Sequence, residues 1–328
     1  MPKVSLNISA LGLVQKLCDK AEKYNVTVEE TESGATLIDA GIDADGGFFA
    51  GKIITEVCLG GYGKARVTPA QYGDMILPSV FVVTDHPALS TLGSQFAGWQ
   101  IKAGEFSAIG SGPARALALK PKSLYEKIGY KDEADTAVIV LETEKMPPEE
   151  AIRKIAEKCN VSTEKLFVIV FSTTSLTGST QVSGRIVETG LHKLEKLGLD
   201  PLSAKYAWGY APIIPLHPRS GEAMGRTNDA ILYGGIANYI VSYDDDKKLE
   251  SIVKQAPSTA SKMLQEAREL AQKNPRFLEI YKEAGFDFYK IDPNIFAPAI
   301  VSINNLKTGK TFRAGNFDIP VMKESLGL

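Results

Sequence analysis

The pattern of apolar and polar positions predicts helices and strands that follow one another along most of the chain. Short apolar runs typical of buried strands occur at residues 75–83, 137–141 and 166–171. The same pattern predicts further elements, which are helices over residues 7–24, 87–99, 116–128, 147–159, 249–273 and 276–284, two strands over residues 26–42 and a hairpin over residues 299–312. Strands that alternate with helices indicate an α+β (mixed α/β) fold.

One helical segment, residues 178–199, places polar side chains along a single stripe. At about 100° per residue, the stripe comprises Gln181, Arg185, Glu188 and His192. An arginine three residues before a glutamate lies within reach of it. One interpretation is a solvated helix face with an ordinary ion pair. The other is a carboxylate adjusted by an arginine at the mouth of a cleft.

The second half of the chain echoes the first at one constant offset. That offset places Leu17 on Leu191 and the pair Gly60–Gly61 on Gly234–Gly235. We therefore expect an internal duplication that gives two similar domains, residues 1–172 and 173–328. Each domain is expected to be a sheet packed with helices, and a cleft is expected between them.

In this alignment, the charged stripe is confined to the second copy. Arg185 and Glu188 stand where the first copy has Leu11 and Val14. Charge gained at core-type positions in only one copy is what a functional site is expected to show.

Composition excludes several classes of protein. The chain has 328 residues, 44% of them hydrophobic and 23% charged, with a formal net charge of −2. These ordinary values give no indication of a nucleic-acid or membrane-surface partner. The sequence has no apolar run near the roughly 18 residues of a membrane helix, and its start lacks a signal-peptide core. A cytoplasmic protein is expected.

Cysteine and histidine are few and scattered. Cys18, Cys58 and Cys159 suit buried thiols in a reducing compartment better than a disulfide framework. The three histidines show no paired spacing typical of metal ligands. We therefore expect no metal site.

The loop at residues 110–115 has glycines for close backbone approach and a proline suited to a first helical turn. If Ser111 or Gly112 caps the helix, its N–H groups attract an anion, with Arg115 and Lys120 nearby. The alternative is a tight loop that only caps a core helix.

Three other stretches carry candidate chemistry. His86 follows a predicted strand and either transfers a proton or caps the next helix. Asn228 and Asp229 follow a glycine, either at a helix N-terminus facing the cleft or in an exposed turn. Tyr289, beside Lys290, either stacks on a flat ring or belongs to the core.

Together, these stretches resemble the methenyltetrahydromethanopterin cyclohydrolase family of one-carbon metabolism, which serves methanogenesis and formaldehyde oxidation. The resemblance is densest at residues 84–88, 110–122, 178–189, 227–229 and 287–299. The block at residues 110–122 is the most specific. The chain departs from the family at residues 171–174, where Phe-Ser-Thr-Thr replaces the more frequent Ala-Pro-Thr-Ala, and around residues 215–220.

The resemblance implies reversible hydrolysis of the cationic N5,N10-methenyl bridge to the N5-formyl pterin, without a metal or prosthetic group. Tetrahydromethanopterin is then the one-carbon carrier, bound in the cleft between the two domains, and the resemblance also implies a homotrimer of such subunits. The family's functional arginine and glutamate fall on Arg185 and Glu188, with Glu188 acting on the attacking water. We expect the substrate to be bound by His86, Ser111, Arg115, Lys120, Gln181, Asn228, Asp229, Tyr289 and Lys290.

Two other functions remain as alternatives. A phosphotransferase would use the loop at residues 110–115 for a nucleotide, but the sequence lacks a convincing Mg²⁺ carboxylate set and a Walker lysine. A pterin-binding homologue without catalysis is disfavoured because Arg185 and Glu188 are present.

Overall fold

The computed structural model describes residues 4–328, which form two compact units. The first unit comprises the described chain as far as Ala65 together with Ala88–Gln181. The second comprises Arg66–Pro87 and Val182–Leu328. The two domains expected from the internal duplication, residues 1–172 and 173–328, stay a prediction.

Helices and strands alternate along the described chain. The α-helices are α1 (Leu6–Asp19), α2 (Ala21–Tyr24), α3 (Phe48–Cys58), α4 (Ala114–Ala118), α5 (Lys122–Ile128), α6 (Glu149–Cys159), α7 (Leu176–Ser183), α8 (Ile186–Lys196), α9 (Ser220–Gly234), α10 (Asp246–Gln255), α11 (Lys262–Ala271), α12 (Phe277–Glu283) and α13 (Ile319–Leu326). The strands are β1 (Thr27–Glu30), β2 (Thr36–Asp39), β3 (Gly63–Tyr72), β4 (Met75–Thr84), β5 (Trp99–Ala103), β6 (Phe106–Ser111), β7 (Ala137–Glu142), β8 (Leu166–Phe171), β9 (Ala204–Pro212), β10 (Ile236–Val241), β11 (Ile300–Asn305) and β12 (Thr311–Gly315). The predicted α+β class is confirmed.

The first unit is built on a mixed six-stranded sheet in the order β1-β2-β8-β7-β6-β5. Its central strands β2, β8 and β7 run parallel, and the outer pairs run antiparallel. Alternate residues of β7 face opposite sides, so Ile139 packs with α4 and α6 while Val138 packs with α1 and α3. Both faces of the sheet are covered, which explains the continuous apolar runs in β7 and β8.

The second unit has a six-stranded sheet in the order β12-β11-β10-β9-β4-β3. Strands β10 and β11 are parallel, while β9 pairs antiparallel with both β10 and β4. Helix α8 packs on β9 and β10, and helix α9 packs on β9, α12 and α13. Tyr206 and Trp208 of β9 are 47% and 38% exposed, so this part of the sheet is not covered by helices.

Three stretches differ from what the sequence pattern indicated. The glycine-rich residues 46–63, for which the pattern predicted no element, contain helix α3. The short helix predicted at residues 87–99 is a π-helix over Ala88–Gln95. Residues 224–229 lie in the interior of α9, so both predictions for them, a helix N-terminus and an exposed turn, were wrong. The glycine among these residues, Gly225, lies inside the helix and packs against Leu278.

Candidate functional site

The segment predicted as one helix over residues 178–199 is two helices. Helix α7 ends at Ser183, and α8 begins at Ile186 after a turn at residues 184–185. The turn carries a hydrogen bond from the Arg185 amide to the Val182 carbonyl, of 3.0 Å. The break moves Glu188 from a helix interior to a first turn, where unpaired N–H groups and the helix dipole favour a carboxylate.

Arg185 occupies the N-cap of α8 through its backbone. The amide and the hydroxyl of Thr189 both donate to the Arg185 carbonyl, at 2.8 and 3.0 Å. This carbonyl is therefore held twice at the start of the helix. Because the backbone of Arg185 is fixed in this way, its side chain projects from a defined point beside the first turn.

The side chains of Arg185 and Glu188 form a buried ion pair. Nη1 of Arg185 lies 3.8 Å from Oε2 of Glu188, and each side chain is 7% exposed. The interpretation of a solvated helix face is wrong for these residues. A separation of 3.8 Å exceeds that of a charge-assisted hydrogen bond, so the pair interacts by charge without one fixed hydrogen-bonded geometry.

Polar burial continues along α8 beyond the ion pair. His192, Lys193 and Glu195 are each less than 9% exposed. Nζ of Lys193 donates to the Asn294 carbonyl at 2.7 Å. Burial lowers the pKa of Lys193, and the charge of Asp292 opposes that change. Helix α8 thus carries ionisable groups where an ordinary packed helix would be apolar.

Gln181 and Ser111 meet within the first unit through a cysteine. Nε2 of the fully buried Gln181 lies 3.3 Å from Sγ of Cys58, which lies 3.7 Å from Oγ of Ser111. Oγ of Ser111 also contacts the Val140 carbonyl at 3.5 Å. The structure therefore joins two predicted site residues by a thiol that the sequence indicated only as buried.

Arg115 is fully buried and bonded to backbone carbonyls. Its Nε donates to the Lys120 carbonyl at 2.8 Å, and its Nη1 donates to those of Leu92 and Ser94 at 3.3 and 2.9 Å. Helix α4 has only five residues, and its N-cap is Pro113 rather than Ser111 or Gly112. These contacts favour the tight-loop interpretation of residues 110–115.

Asn228 and Asp229 are buried in α9. Nδ2 of Asn228 donates to the Met224 carbonyl, one turn earlier, at 2.9 Å. Asp229 accepts from the Phe277 amide at 2.7 Å and from Oγ of Ser325 at 2.8 Å. Burial raises the pKa of Asp229 to about 7, although those hydrogen bonds and the Arg276 charge lower it. These contacts fasten α12 and α13 to α9.

The remaining candidates are exposed. The amide of His86 donates to Oγ1 of Thr84 at 3.0 Å, which forms a local turn after β4. Tyr289 is 40% exposed and meets Phe288 edge to face, with ring centroids 5.9 Å apart. Nζ of Lys290 lies 3.9 Å from Oδ2 of Asp287. Lys120 is exposed as well.

Neither a metal-binding cluster nor a membrane-spanning helix is present in the described residues. Residues 4–328 contain no group of three or more His, Cys, Asp and Glu side chains placed to hold a metal ion. In the same residues, no helix has the length and hydropathy of a membrane span.

Comparison with known families identifies the chain. The family model described as Cyclohydrolase (MCH) matches residues 5–326. The chain belongs to this cyclohydrolase family. A relative from Methanothermobacter marburgensis, named methenyltetrahydromethanopterin cyclohydrolase, is 46% identical over 328 residues, covering 99% of this chain and 100% of its own.

Other members of the cyclohydrolase family carry the same name. The relative from Methanocaldococcus jannaschii is 45% identical, covering 99% of this chain and 98% of its own. The relative from Methanococcoides burtonii is 41% identical, covering 99% of both chains. The resemblance noted from the sequence is confirmed over nearly the whole chain.

Sequence reasoning missed one residue beside the ion pair. Tyr239 of β10 is 1% exposed, and the charge of Glu188 is near enough to act on it. Its position after the diglycine at residues 234–235 gave no signal, because a tyrosine in a strand is ordinarily core. Tyr239 is a neighbour of Glu188 only because α8 packs on β10.

Proposed function

We propose that this chain hydrolyses N5,N10-methenyltetrahydromethanopterin reversibly to N5-formyltetrahydromethanopterin, as an enzyme of one-carbon metabolism. The observation that carries the proposal is the buried Arg185–Glu188 pair at the start of α8, in a chain of the cyclohydrolase family. A buried carboxylate is the group that a cationic one-carbon bridge requires beside it.

Glu188 suits both halves of the reaction. The bridge carbon resembles an amidinium and is attacked by water, so a carboxylate stabilises the cation and takes a proton from the water. A carbinolamine results. The same carboxyl group returns this proton to N10 as the carbon–N10 bond breaks, and the hydroxyl proton of the carbinolamine leaves to solvent, so that a formyl C=O remains on N5. The net reaction consumes one water and releases one proton.

Arg185 positions Glu188 in this scheme. Its charge lies 3.8 Å from the carboxylate, and its backbone begins the helix on which Glu188 lies. At this distance Arg185 supplies the carboxylate with a counter-charge while Glu188 acts on the bridge and the water.

The other candidates are proposed to bind the pterin. They are His86, Ser111, Lys120, Gln181, Asn228, Asp229, Tyr289 and Lys290. Arg115 donates to three backbone carbonyls, which supports an indirect role in binding. It is proposed to shape the loop from which the Lys120 side chain reaches the negatively charged tail of the pterin substrate.

Three further features stay predictions that follow from the family. They are a homotrimer, catalysis without a prosthetic group and a cytoplasmic location. The exposed Tyr206 and Trp208 of β9 support an association between copies, because large exposed aromatic side chains are typical of interfaces. Light scattering on the purified chain measures the mass directly.

The direct test is an absorbance assay of two substrates side by side. Methenyl-tetrahydromethanopterin is expected to be hydrolysed, and methenyl-tetrahydrofolate is expected to react far more slowly. If neither compound reacts faster than in buffer, the proposed function is wrong. Titration with ATP serves as the control for a phosphotransferase, and no binding is expected.

A further inference from the structure

Beneath the first turn of α8 lies a buried tyrosine that the reaction scheme does not use. Tyr239 extends from β10, is 1% exposed, and donates its hydroxyl to the Val187 carbonyl at 2.7 Å. That carbonyl belongs to the peptide group that joins Val187 to Glu188. Since a peptide group is planar, a bond that holds the Val187 carbonyl also orients the backbone on which Glu188 is carried.

The helix is shaped to admit this tyrosine. A Cβ on Gly190 would overlap the Tyr239 hydroxyl, and it would lie 3.1 Å from both Cβ of Ala237 and Cγ of Pro298. Gly190 has no positive φ, so its backbone does not require glycine. The close approach of Tyr239 does require it, because any other residue would push the hydroxyl away from α8.

Tyr239 and Glu188 also interact by charge. Burial, followed by the charge of Glu188, keeps the pKa of Tyr239 well above its ordinary value. The phenol therefore stays protonated and keeps donating to Val187 at the pH of a neutral assay.

We propose that Tyr239, admitted by Gly190, is a positioning residue that holds the first turn of α8 so that the Glu188 carboxylate meets the reacting bridge. The inference rests on the proposed function of Glu188. It assigns Tyr239 no contact with the substrate. A small displacement of a catalytic group lowers the rate strongly and leaves substrate binding nearly unchanged.

The test compares two tyrosines of the second unit. Tyr239→Phe removes only the hydroxyl, and kcat is expected to fall about 10-fold with KM unchanged within about twofold. Tyr233→Phe is the matched control, because Tyr233 is fully buried and its hydroxyl also donates to a backbone carbonyl, that of Pro275 at 2.5 Å. Its kcat is expected to stay within about twofold of the wild-type value. Equal losses in kcat would overturn the inference, as would a Tyr239→Phe enzyme with wild-type kcat.

A double-mutant cycle separates positioning from general loosening of the fold. In a Glu188→Gln background, the further change Tyr239→Phe is expected to lower the residual rate less than about twofold, since the group that it positions is gone. A full 10-fold loss in that background would overturn the inference. Wild-type activity of Glu188→Gln alone would instead overturn the proposed function, whatever Tyr239→Phe shows.

Gly190→Ala supplies an independent measurement. The added methyl group is expected to lower both kcat and the melting temperature, and Tyr239→Phe in the same chain is expected to restore part of the melting temperature by removing the overlapping hydroxyl. Additive losses in the double variant would show that Gly190 and Tyr239 act separately, and the inference would be wrong.

Discussion

Two buried arginines of this chain have different kinds of partner. Arg115 of the first unit is fully buried and donates to three backbone carbonyls, with the Phe96 and Tyr125 rings 5.2 and 5.6 Å from its guanidinium carbon. Arg185 of the second unit is 6% exposed, and its described side-chain partner is the carboxylate of Glu188. Burial of an arginine thus does not by itself indicate chemistry, whereas its partner does.

Arg115 is bonded to the backbone, whereas Arg185 lies beside an acidic side chain. Backbone carbonyls are neutral and do not take up protons. The contacts of Arg115 therefore hold loops together and do not depend on the protonation of a partner. The Arg185–Glu188 pair instead carries an acidic group that can take up and return a proton. Removing the charge of the acidic group is expected to lower the catalytic rate far more than the stability of the fold.

Neutralising Glu188 gives the largest expected effect. Glu188→Gln keeps the size of the side chain but cannot take a proton from water, so kcat is expected to fall about 10³-fold. The melting temperature is expected to fall moderately, because the buried Arg185 loses its counter-charge while the fold is kept. Steady-state hydrolysis of the methenyl pterin, with thermal unfolding beside it, measures both.

The matched control for that variant lies on the same helix. Glu195 is 8% exposed and Nζ of Lys196 lies 3.7 Å from its Oε2, so Glu195→Gln removes a similar buried charge from α8. Its kcat is expected to remain within about twofold of wild type. Equal losses in both variants would show that charge anywhere on α8 matters and would remove the special role of Glu188.

Removing Arg115 is expected to act on stability. Arg115→Met leaves three carbonyls without their donor, at a cost of about 3 kcal/mol in the free energy of unfolding. Denaturant unfolding measures this loss, and KM for the pterin is expected to rise together with it, because Arg115 shapes the loop that carries Lys120. Lys120→Met is the control, because Arg115 uses the Lys120 carbonyl and not its side chain. A stable Arg115→Met variant with a raised KM would assign Arg115 to the substrate instead.

Much of the fold follows from pattern in the sequence. Strands β7 and β8 were predictable because their residues are buried on both faces, and the hairpin of β11 and β12 was predictable from its turn residues. Helix α3 was not, because it contains Gly51 and is flanked by glycines, which indicate loops when read locally. Whether a glycine breaks a helix or admits a neighbour depends on tertiary contacts that a local pattern does not contain.

The candidate site was predictable only in part. The spacing of Arg185 and Glu188 indicated the ion pair, yet only the structure shows that α8 begins between them and that both are buried. The sequence left open whether Arg115 serves an anion or only a tight loop, and its contacts with backbone carbonyls come from the structure alone. The neighbouring Tyr239 was not predictable because the packing of α8 on β10, and not closeness in sequence, brings it under α8.

Removing Arg185 tests whether the ion pair is self-contained. Arg185→Met leaves the buried Glu188 without this counter-charge and is expected to lower the free energy of unfolding by about 2 kcal/mol. Adding Glu188→Gln is expected to restore most of that loss, because the uncompensated charge is then gone. Denaturant unfolding of both single variants and the double variant measures the coupling. Failure of the second change to restore stability would show that Arg185, like Arg115, serves the framework.

The smallest expected effect is a change with pH beside Arg115. Burial raises the pKa of Tyr125 from its ordinary value of 10 to about 12, although the Arg115 charge lowers it. Between those values the folded chain binds more protons at Tyr125 than the unfolded chain does. This contribution to stability is therefore complete below pH 10 and is lost as the pH rises toward 12.

Tyr125→Phe is expected to lose the hydrogen bond to the Gly93 carbonyl at every pH, at a cost of about 1 kcal/mol. Its free energy of unfolding is expected to fall less steeply with alkaline pH than that of the wild-type chain. Urea unfolding of both chains between neutral and alkaline pH measures the two slopes. If stability falls equally with pH in both chains, the Arg115 charge fully offsets the burial of Tyr125. Arg115 would then also act on the protonation of a neighbouring group, as Arg185 is proposed to do.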